Sequence, residues 1–315
     1  MKDSKKSKST VKENTNRTGA FSLFLLFLTA MIWGFAFVAQ VEGIEHIGNF
    51  TLNGVRFTVG IISLLPVVLI FERGRTSPEE RKRTVKVSVF AGCVLFLASS
   101  FQQMGIEYTR SAGIAGFITG LYSVFIPIAC YILFKKKTSL NVWLGVMCAV
   151  VGLFLLCYKV GEGFSFGIGE ILLLIGTFFW TAHVIIIDRC AKNVRSLHFS
   201  WGQFAVCALF GVISMFIFEE PQMTNILSAK WAILYCGVMS VGVAYTLQVI
   251  AQKRADPTLA AIVLSTESVF SAVGGFIFGI DEMTLFGVCG CILMFVGIVL
   301  SQFEPKKKNK DIGKD

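Results

Sequence analysis

Residues 111–125, SAGIAGFITGLYSVF, are matched by residues 256–270, DPTLAAIVLSTESVF, with no gap and a constant shift of 145 positions. The same shift places Leu140, Gly145 and Gly152 on Leu285, Gly290 and Gly297, and a shift of 147 places Trp33 on Trp180 and Phe57 on Phe204. A near-constant offset over so much of the chain indicates an internal duplication. The sequence therefore predicts two related halves, residues 19–159 and 168–303, between polar tails at 1–18 and 304–315.

Each half consists of long apolar segments, of about the 20 residues that cross a bilayer as a helix. Of the 315 residues, 54% are hydrophobic and 16% charged, whereas a soluble domain carries about 25% charged residues. The sequence predicts an all-α membrane protein with ten transmembrane helices. They are placed at residues 21–40, 51–71, 87–106, 112–134, 140–158, 168–187, 199–218, 231–252, 258–280 and 284–303.

The basic residues predict the orientation of these helices. If the N-terminus is cytoplasmic, 25 of the 29 Lys and Arg residues fall on the cytoplasmic side, three fall outside and Arg56 lies within a span. Cytoplasmic loops of membrane proteins carry such an excess of positive charge. We expect a multi-pass protein of the plasma (inner) membrane with both termini cytoplasmic. The net charge of +9 is then a topology signal, with membrane lipid as a partner and no role in binding nucleic acid.

Five helices in each half is an odd number, so the second half must enter the membrane with the opposite orientation. Inverted repeats of this kind occur in transporters, where the substrate lies near the midplane between the halves. The sequence thus predicts a 5+5 inverted repeat with a central binding site.

Short motifs in both halves resemble the EamA family of the drug/metabolite transporter superfamily. They are AMIWGFAF at 30–37, RF at 56–57, STESVFSA at 265–272 and FGIDEMT at 278–284. The resemblance covers about residues 20–303 and implies a 5+5 carrier with a central cavity, often an exporter of amino acids or other metabolites. Two departures are Ser268, where many members have proline after the glutamate, and His183, which is not a mark of the family.

Three ionisable residues within predicted spans are candidates for substrate binding or coupling, since such residues usually face a cavity or a partner. Glu267 is a candidate ligand for a substrate amine or a proton-coupling carboxyl. Arg56 could bind a substrate carboxylate, pair with Glu267, or extend to the headgroups. His183 has a side chain suited to proton coupling, with a structural hydrogen-bonding role as its alternative.

The duplication adds further candidates, because a cavity between inverted halves would be lined by equivalent residues. Four equivalent pairs of polar or aromatic residues recur: Trp33 and Trp180, Arg56 and Gln203, Gln103 and Gln248, and Tyr122 and Glu267.

The leading functional hypothesis is a secondary, gradient-driven transporter of a small metabolite, working by alternating access, with amino acid export as one form of it. The alternatives are a membrane-embedded enzyme and a flippase for a lipid-linked metabolite, with a channel as a further class. No catalytic motif or nucleotide-binding loop is found, so no enzyme activity and no cofactor are predicted. The nine cysteines contain no CxxC pair, and no metal site is expected. Substrate, coupling ion and oligomeric state are left open.

Overall fold

The computed structural model describes most of the chain. It covers residues 2–74, 77–135, 139–156, 158–159, 163–164, 166–190, 194–252, 263–282 and 284–302. Part of the predicted helix at 258–280 lies outside these residues. Only the backbone is described for residues 2–20 and for positions 156, 159, 163, 164, 188, 249, 252 and 302.

The described chain is a bundle of helices, with one minimal antiparallel ladder formed by β1 (Tyr158–Lys159) and β2 (Gly163–Phe164). A π-helical segment, Tyr235–Ala244, lies between α10 and α11. The α-helices are α1 Lys2–Ile44, α2 Asn49–Phe71, α3 Pro78–Thr109, α4 Ala112–Gly120, α5 Tyr122–Phe134, α6 Leu140–Leu156, α7 Ile168–Cys190, α8 Ser196–Phe218, α9 Met223–Ser228, α10 Lys230–Leu234, α11 Tyr245–Gln252, α12 Glu267–Ile277 and α13 Leu285–Gln302.

Seven stretches of helix in the described residues are long and apolar enough to cross a membrane. They are Phe21–Ile44, Asn49–Phe71, Pro78–Thr109, Ala112–Phe134, Ile168–Ile187, Ser196–Phe218 and Lys230–Gln248. Three shorter apolar helices, Leu140–Leu155, Val263–Ile277 and Leu285–Ser301, lie at the other predicted spans. The multi-pass membrane class predicted from hydropathy is confirmed at this level.

Two helical segments are interrupted at equivalent points of the duplication. Between α4 and α5 the N–H of Leu121 bonds to the carbonyl of Ile118 at 3.2 Å, three residues back instead of four. Before α12 the N–H of Thr266 bonds in the same way to the carbonyl of Val263 at 3.2 Å. The two interrupted positions are 145 residues apart. As a result, Tyr122 and Glu267 each begin a helix at corresponding places.

Helices α6 and α13 approach so closely that glycine is required at the contact. A Cβ added to Gly145 would lie 2.5 Å from the carbonyl oxygen of Gly297, and one added to Gly152 would lie 2.8 Å from that of Gly290. Small residues permit such backbone contact between membrane helices. Under the shift of 145 positions Gly145 corresponds to Gly290 and Gly152 to Gly297, so the two contacts are equivalent.

Helices α2 and α8 run antiparallel, and a carboxylate from α8 caps the start of α2. Glu219, which follows the last residue of α8, accepts hydrogen bonds from the backbone N–H groups of Phe50 and Thr51, both at 2.8 Å. The Thr51 hydroxyl donates a third bond at 2.6 Å. The first N–H groups of a helix have no partner within it, and an anion there is favoured by the helix dipole. We call this contact the Glu219 clasp.

The opposite end of the pair carries an equivalent contact, the Glu72 clasp. Glu72 follows the last residue of α2 and accepts bonds from the N–H groups of Leu197 and His198, both at 3.0 Å. The His198 ring lies 2.6 Å from the same carboxylate. Burial alone would raise the pKa of Glu72, but these hydrogen bonds lower it below the ordinary value of 4.5. Glu72 and Glu219 are 147 positions apart, the shift that relates the two helices.

Candidate functional site

A cavity with an empty volume of about 780 Å³, its open mouth included, lies among helices from both halves of the chain. Residues of α1, α2, α3, α4, α5, α7, α11, α12 and the π-helical segment line it. Its wall combines aromatic and aliphatic side chains with polar ones, so it can contact both the apolar and the polar parts of a small molecule.

The structure brings seven of the nine predicted site residues to this cavity: Trp33, Arg56, Tyr122, Trp180, His183, Gln248 and Glu267. Gln203 lies behind the wall, hydrogen-bonded to His183. Gln103 is fully buried elsewhere on α3, and its neighbour Gln102 faces the cavity instead. That these seven residues act in substrate binding or coupling stays a prediction.

Arg56 lies on the cavity wall, with only 6% of its surface exposed. Its Nη1 donates a hydrogen bond of 2.6 Å to Oε1 of Gln40 on α1, and its guanidinium lies 5.2 Å from the ring centroid of Phe57. The Nε atom is buried without a partner in the described structure. The interpretation in which Arg56 reaches the headgroups is therefore wrong, since a buried guanidinium bonded to Gln40 does not lie at the membrane surface.

Glu267 is the first residue of α12, directly after the interruption at Thr266. The helix dipole favours an anion at this place. Among the described residues Glu267 forms no ion pair within 4.0 Å, so the pairing with Arg56, one of the three alternatives for that residue, is absent from this conformation. Arg56 and Glu267 thus line one cavity without pairing with each other.

His183 lines the cavity and is also hydrogen-bonded to a residue behind the cavity wall. Its Nε2 lies 2.9 Å from Oε1 of Gln203 and must be the donor, because a side-chain carbonyl oxygen only accepts. This bond fixes the orientation of the ring, which packs edge-on against Trp180 with the ring centroids 5.7 Å apart. Within the described residues no group of three His, Cys, Asp or Glu side chains is placed to hold a metal ion.

Two tryptophans at equivalent positions form part of the aromatic wall. Trp33 donates its indole N–H to the carbonyl of Ser240 at 3.2 Å, and its ring packs against Tyr245 at 4.8 Å between centroids. The indole N–H of Trp180 is buried without a partner in the described structure. The ring of Trp180 lines the cavity, while its N–H is enclosed by protein atoms.

Five polar lining residues were not predicted from the sequence: Gln40, Gln102, Thr119, Ser240 and Tyr245. Helical spacing could have found two of them. Gln40 lies seven residues after Trp33, and Tyr245 three residues before Gln248, so each shares a helix face with a predicted residue. Gln102 and Thr119 are held together by a hydrogen bond of 3.0 Å between α3 and α4, which the sequence does not reveal.

Comparisons with known proteins agree with this architecture. A model of the EamA-like transporter family matches the chain twice, over residues 20–158 and 167–303. An uncharacterized transporter of Archaeoglobus fulgidus is 27% identical over 93% of this chain and 90% of its own length. The uncharacterized transporter YoaV of Bacillus subtilis is 21% identical over 88% and 95%, and a WAT1-related protein of Arabidopsis thaliana is 23% identical over 86% and 83%.

A crystal structure aligns over 89% of this chain and 97% of its own, with a TM-score of 0.65 and 19% sequence identity. At that identity the similarity concerns the fold alone. Both repeats of the family model lie on the predicted halves, and together they cover nearly all of the chain between its polar tails. The chain therefore belongs to the EamA-like transporter family, a family of membrane transporters and not of enzymes.

Proposed function

We propose that this chain is a secondary transporter in which two inverted five-helix halves rock about the central cavity. The family and the apolar helices support a membrane transporter. The distribution of basic residues supports ten spans with both termini cytoplasmic. Carriers built from inverted repeats bind substrate near the midplane, between the halves. The cavity here lies between helices of both halves.

Three pairs of equivalent contacts support the inverted repeat. The glycine contacts of α6 and α13, the two clasps of α2 and α8, and the interruptions at Leu121 and Thr266 are each related by a shift of 145 or 147 positions. A pseudo-two-fold axis between the halves accounts for all of them, because such an axis maps each contact onto its partner.

The substrate we propose is a small zwitterion of the amino acid class. The observation that carries this proposal is that Arg56 and Glu267 face the same cavity without pairing with each other. A substrate carboxylate can bind the guanidinium of Arg56 on the cavity wall, and an ammonium group can bind Glu267. Aromatic rings around Glu267 also favour a cation, through the negative faces of their π systems. An apolar side chain would contact the remaining aromatic wall.

Glu267 is also our candidate for coupling to a proton gradient. A carboxyl in a low-dielectric cavity without a cationic partner binds either a proton or a substrate ammonium group, because the isolated anion is costly there. Competition of the two ligands for one carboxyl would link proton movement to substrate movement in opposite directions.

Flux in proteoliposomes tests the proposal. Radiolabelled amino acids and related metabolites are loaded with and without a pH gradient, using the native protein, Glu267→Gln and Arg56→Gln. We expect saturable flux that responds to the gradient, is uncoupled from it in Glu267→Gln, and falls for carboxylate-bearing substrates in Arg56→Gln. Glu220→Gln, which alters an exposed glutamate outside the cavity, serves as the matched control.

Gradient-dependent flux that survives Glu267→Gln unchanged would remove Glu267 from the coupling step. Absence of flux for every zwitterion, together with flux of a lipid-linked metabolite, would replace the proposed substrate class and favour the flippase alternative. Unitary currents in place of saturable flux would contradict the carrier mechanism itself.

A further inference from the structure

Buried polar atoms without a hydrogen-bond partner are concentrated at one place outside the cavity. Eight such side-chain atoms occur in the described structure, and five of them belong to four residues of α2 and α3. These are Oδ1 of Asn49, Oδ1 of Asn53, Oγ of Ser100, and both Oε1 and Nε2 of Gln103. All four residues are at least nine-tenths buried, and Asn53 and Gln103 are completely buried. Buried polar groups are nearly always satisfied, so this concentration points to a ligand.

Two hydrogen bonds bring the polar stripes of α2 and α3 face to face. The Asn53 amide donates to the carbonyl of Ser99 at 3.2 Å, and the Asn49 amide donates to the carboxylate of Glu107. Gln103 lies on α3 four residues from each of these two acceptors, and therefore on the same helix face between them. Ser100 lies three residues before Gln103, also on that face.

The chemistry of this cluster selects the ligand. It presents three neutral amide oxygens, one hydroxyl, the amide nitrogen of Gln103 and, at its exposed end, the carboxylate of Glu107. Hard cations prefer oxygen ligands, and a calcium site usually has several carboxylates. One negative charge with several neutral oxygens suits a monovalent ion. We propose that the cluster between α2 and α3 is a binding site for a monovalent cation, with sodium as the ion to test.

Arg56 marks the inner limit of this site. It lies three residues after Asn53 on α2, and its guanidinium faces the cavity and bonds to Gln40. Its positive charge opposes passage of a cation from the cluster into the cavity, so the ion enters and leaves at the Glu107 end. The cluster is therefore a binding site and not a conduction path.

The duplicated half lacks the same set of ligands. Ser196 and Ser200 stand where α2 has Asn49 and Asn53, and Gln252 stands where α3 has Glu107. The second half thus has no carboxylate at the equivalent place, and the cation site breaks the symmetry of the two halves. One such site per chain is expected.

Cation and substrate binding would be coupled through Arg56, a step that rests on the transport function proposed above. A substrate carboxylate at Arg56 neutralises the charge that opposes the cation, so each ligand would raise the affinity for the other. Linkage makes this effect reciprocal for the two binding affinities.

Equilibrium binding of radioactive sodium to the purified full-length chain in detergent tests the site without any need for flux. We compare the native protein with Gln103→Met and Glu107→Gln, using Glu220→Gln as a charge-matched control at an exposed position. Because the Gln103 amide has no partner in the described structure, its replacement by methionine should leave the fold intact. Elution profile and melting temperature in choline chloride check this.

The expected result is one sodium ion per native chain, competed by lithium or potassium but not by choline. Affinity should fall at least about tenfold in both cluster variants, equivalent to about 1.4 kcal/mol of binding free energy, and stay unchanged in Glu220→Gln. No saturable sodium binding by the native chain, or equal binding by the native chain and both variants, would overturn the proposal and assign the cluster to bound water. Sodium binding without flux of any zwitterion would retain the site and reject the proposed substrate class instead.

Discussion

Removal of the Glu219 carboxylate should destabilise the protein well beyond what a surface substitution does. Glu219 accepts three hydrogen bonds from Phe50 and Thr51, at 2.6 to 2.8 Å. A hydrogen bond to a charged group contributes about 1.5–3 kcal/mol, and loss of a helix N-cap costs about 0.5–2 kcal/mol. Glu219 is partly exposed, so water replaces part of these bonds. We therefore expect Glu219→Ala to lower the free energy of unfolding by about 2–4 kcal/mol.

Equilibrium unfolding in mixed micelles, followed by tryptophan fluorescence, measures this change. Glu219→Gln keeps one acceptor oxygen but turns an amide N–H toward the backbone donors, so its stability should fall between those of the native protein and Glu219→Ala. The adjacent Glu220 is exposed, and Glu220→Ala should stay within about 0.5 kcal/mol of the native protein, as surface substitutions usually do.

The Glu72 clasp provides a second check on the same reasoning. The two clasps lie at opposite ends of α2, whose 23 residues span about 34 Å. At that separation the effects of Glu72→Ala and Glu219→Ala should add within about 0.5 kcal/mol. Equal free energies of unfolding for Glu219→Ala and Glu220→Ala would show that the capping of α2 by Glu219 contributes nothing measurable. That result would refute the stabilising role of the clasps.

Two further predictions concern pH dependence and the cavity. The lowered pKa of Glu72 means that its stabilising effect is present above the ordinary value of 4.5 and is lost as the pH falls through the lower value in the folded state. The difference in melting temperature between native protein and Glu72→Gln should therefore be large at pH 7 and shrink below about pH 4.5; a difference constant from pH 7 to pH 3.5 would contradict it. Trp180→Phe removes an indole N–H with no partner in the described structure, so the free energy of unfolding should change by less than about 1.5 kcal/mol. Because the cavity wall loses ring surface, KM for the transported substrate should rise about tenfold. An unchanged KM would show that Trp180 does not contact the substrate.

The hydropathy pattern predicted the positions of the helices, and the internal duplication predicted part of the cavity wall. The apolar segments identify the helices, since a membrane span must be apolar along its length. Comparison of equivalent positions in the two halves selected Trp33, Trp180 and Tyr122, and all three line the cavity. It also selected Gln103 and Gln203, which do not line it, because the side chains at equivalent positions have different neighbours.

Features that depend on local hydrogen bonding were not predictable. The span at 231–252 contains a π-helical segment, and hydropathy does not distinguish one helical hydrogen-bond pattern from another. The helical hydrogen-bond pattern is interrupted at Thr266 although this chain has Ser268 where many members of the family have a proline. Gln103 and Gln102 are adjacent on α3, and only packing decides which of them reaches the cavity.

The two clasps have a consequence for the autonomy of the repeats. Glu72 completes a helix that belongs to the second repeat, and Glu219 completes one that belongs to the first. Neither repeat contains all the groups that its own second helix needs at its start. Synthesised as separate polypeptides, the two would each expose an uncapped helix end, and each would recover its missing carboxylate only by assembling with the other.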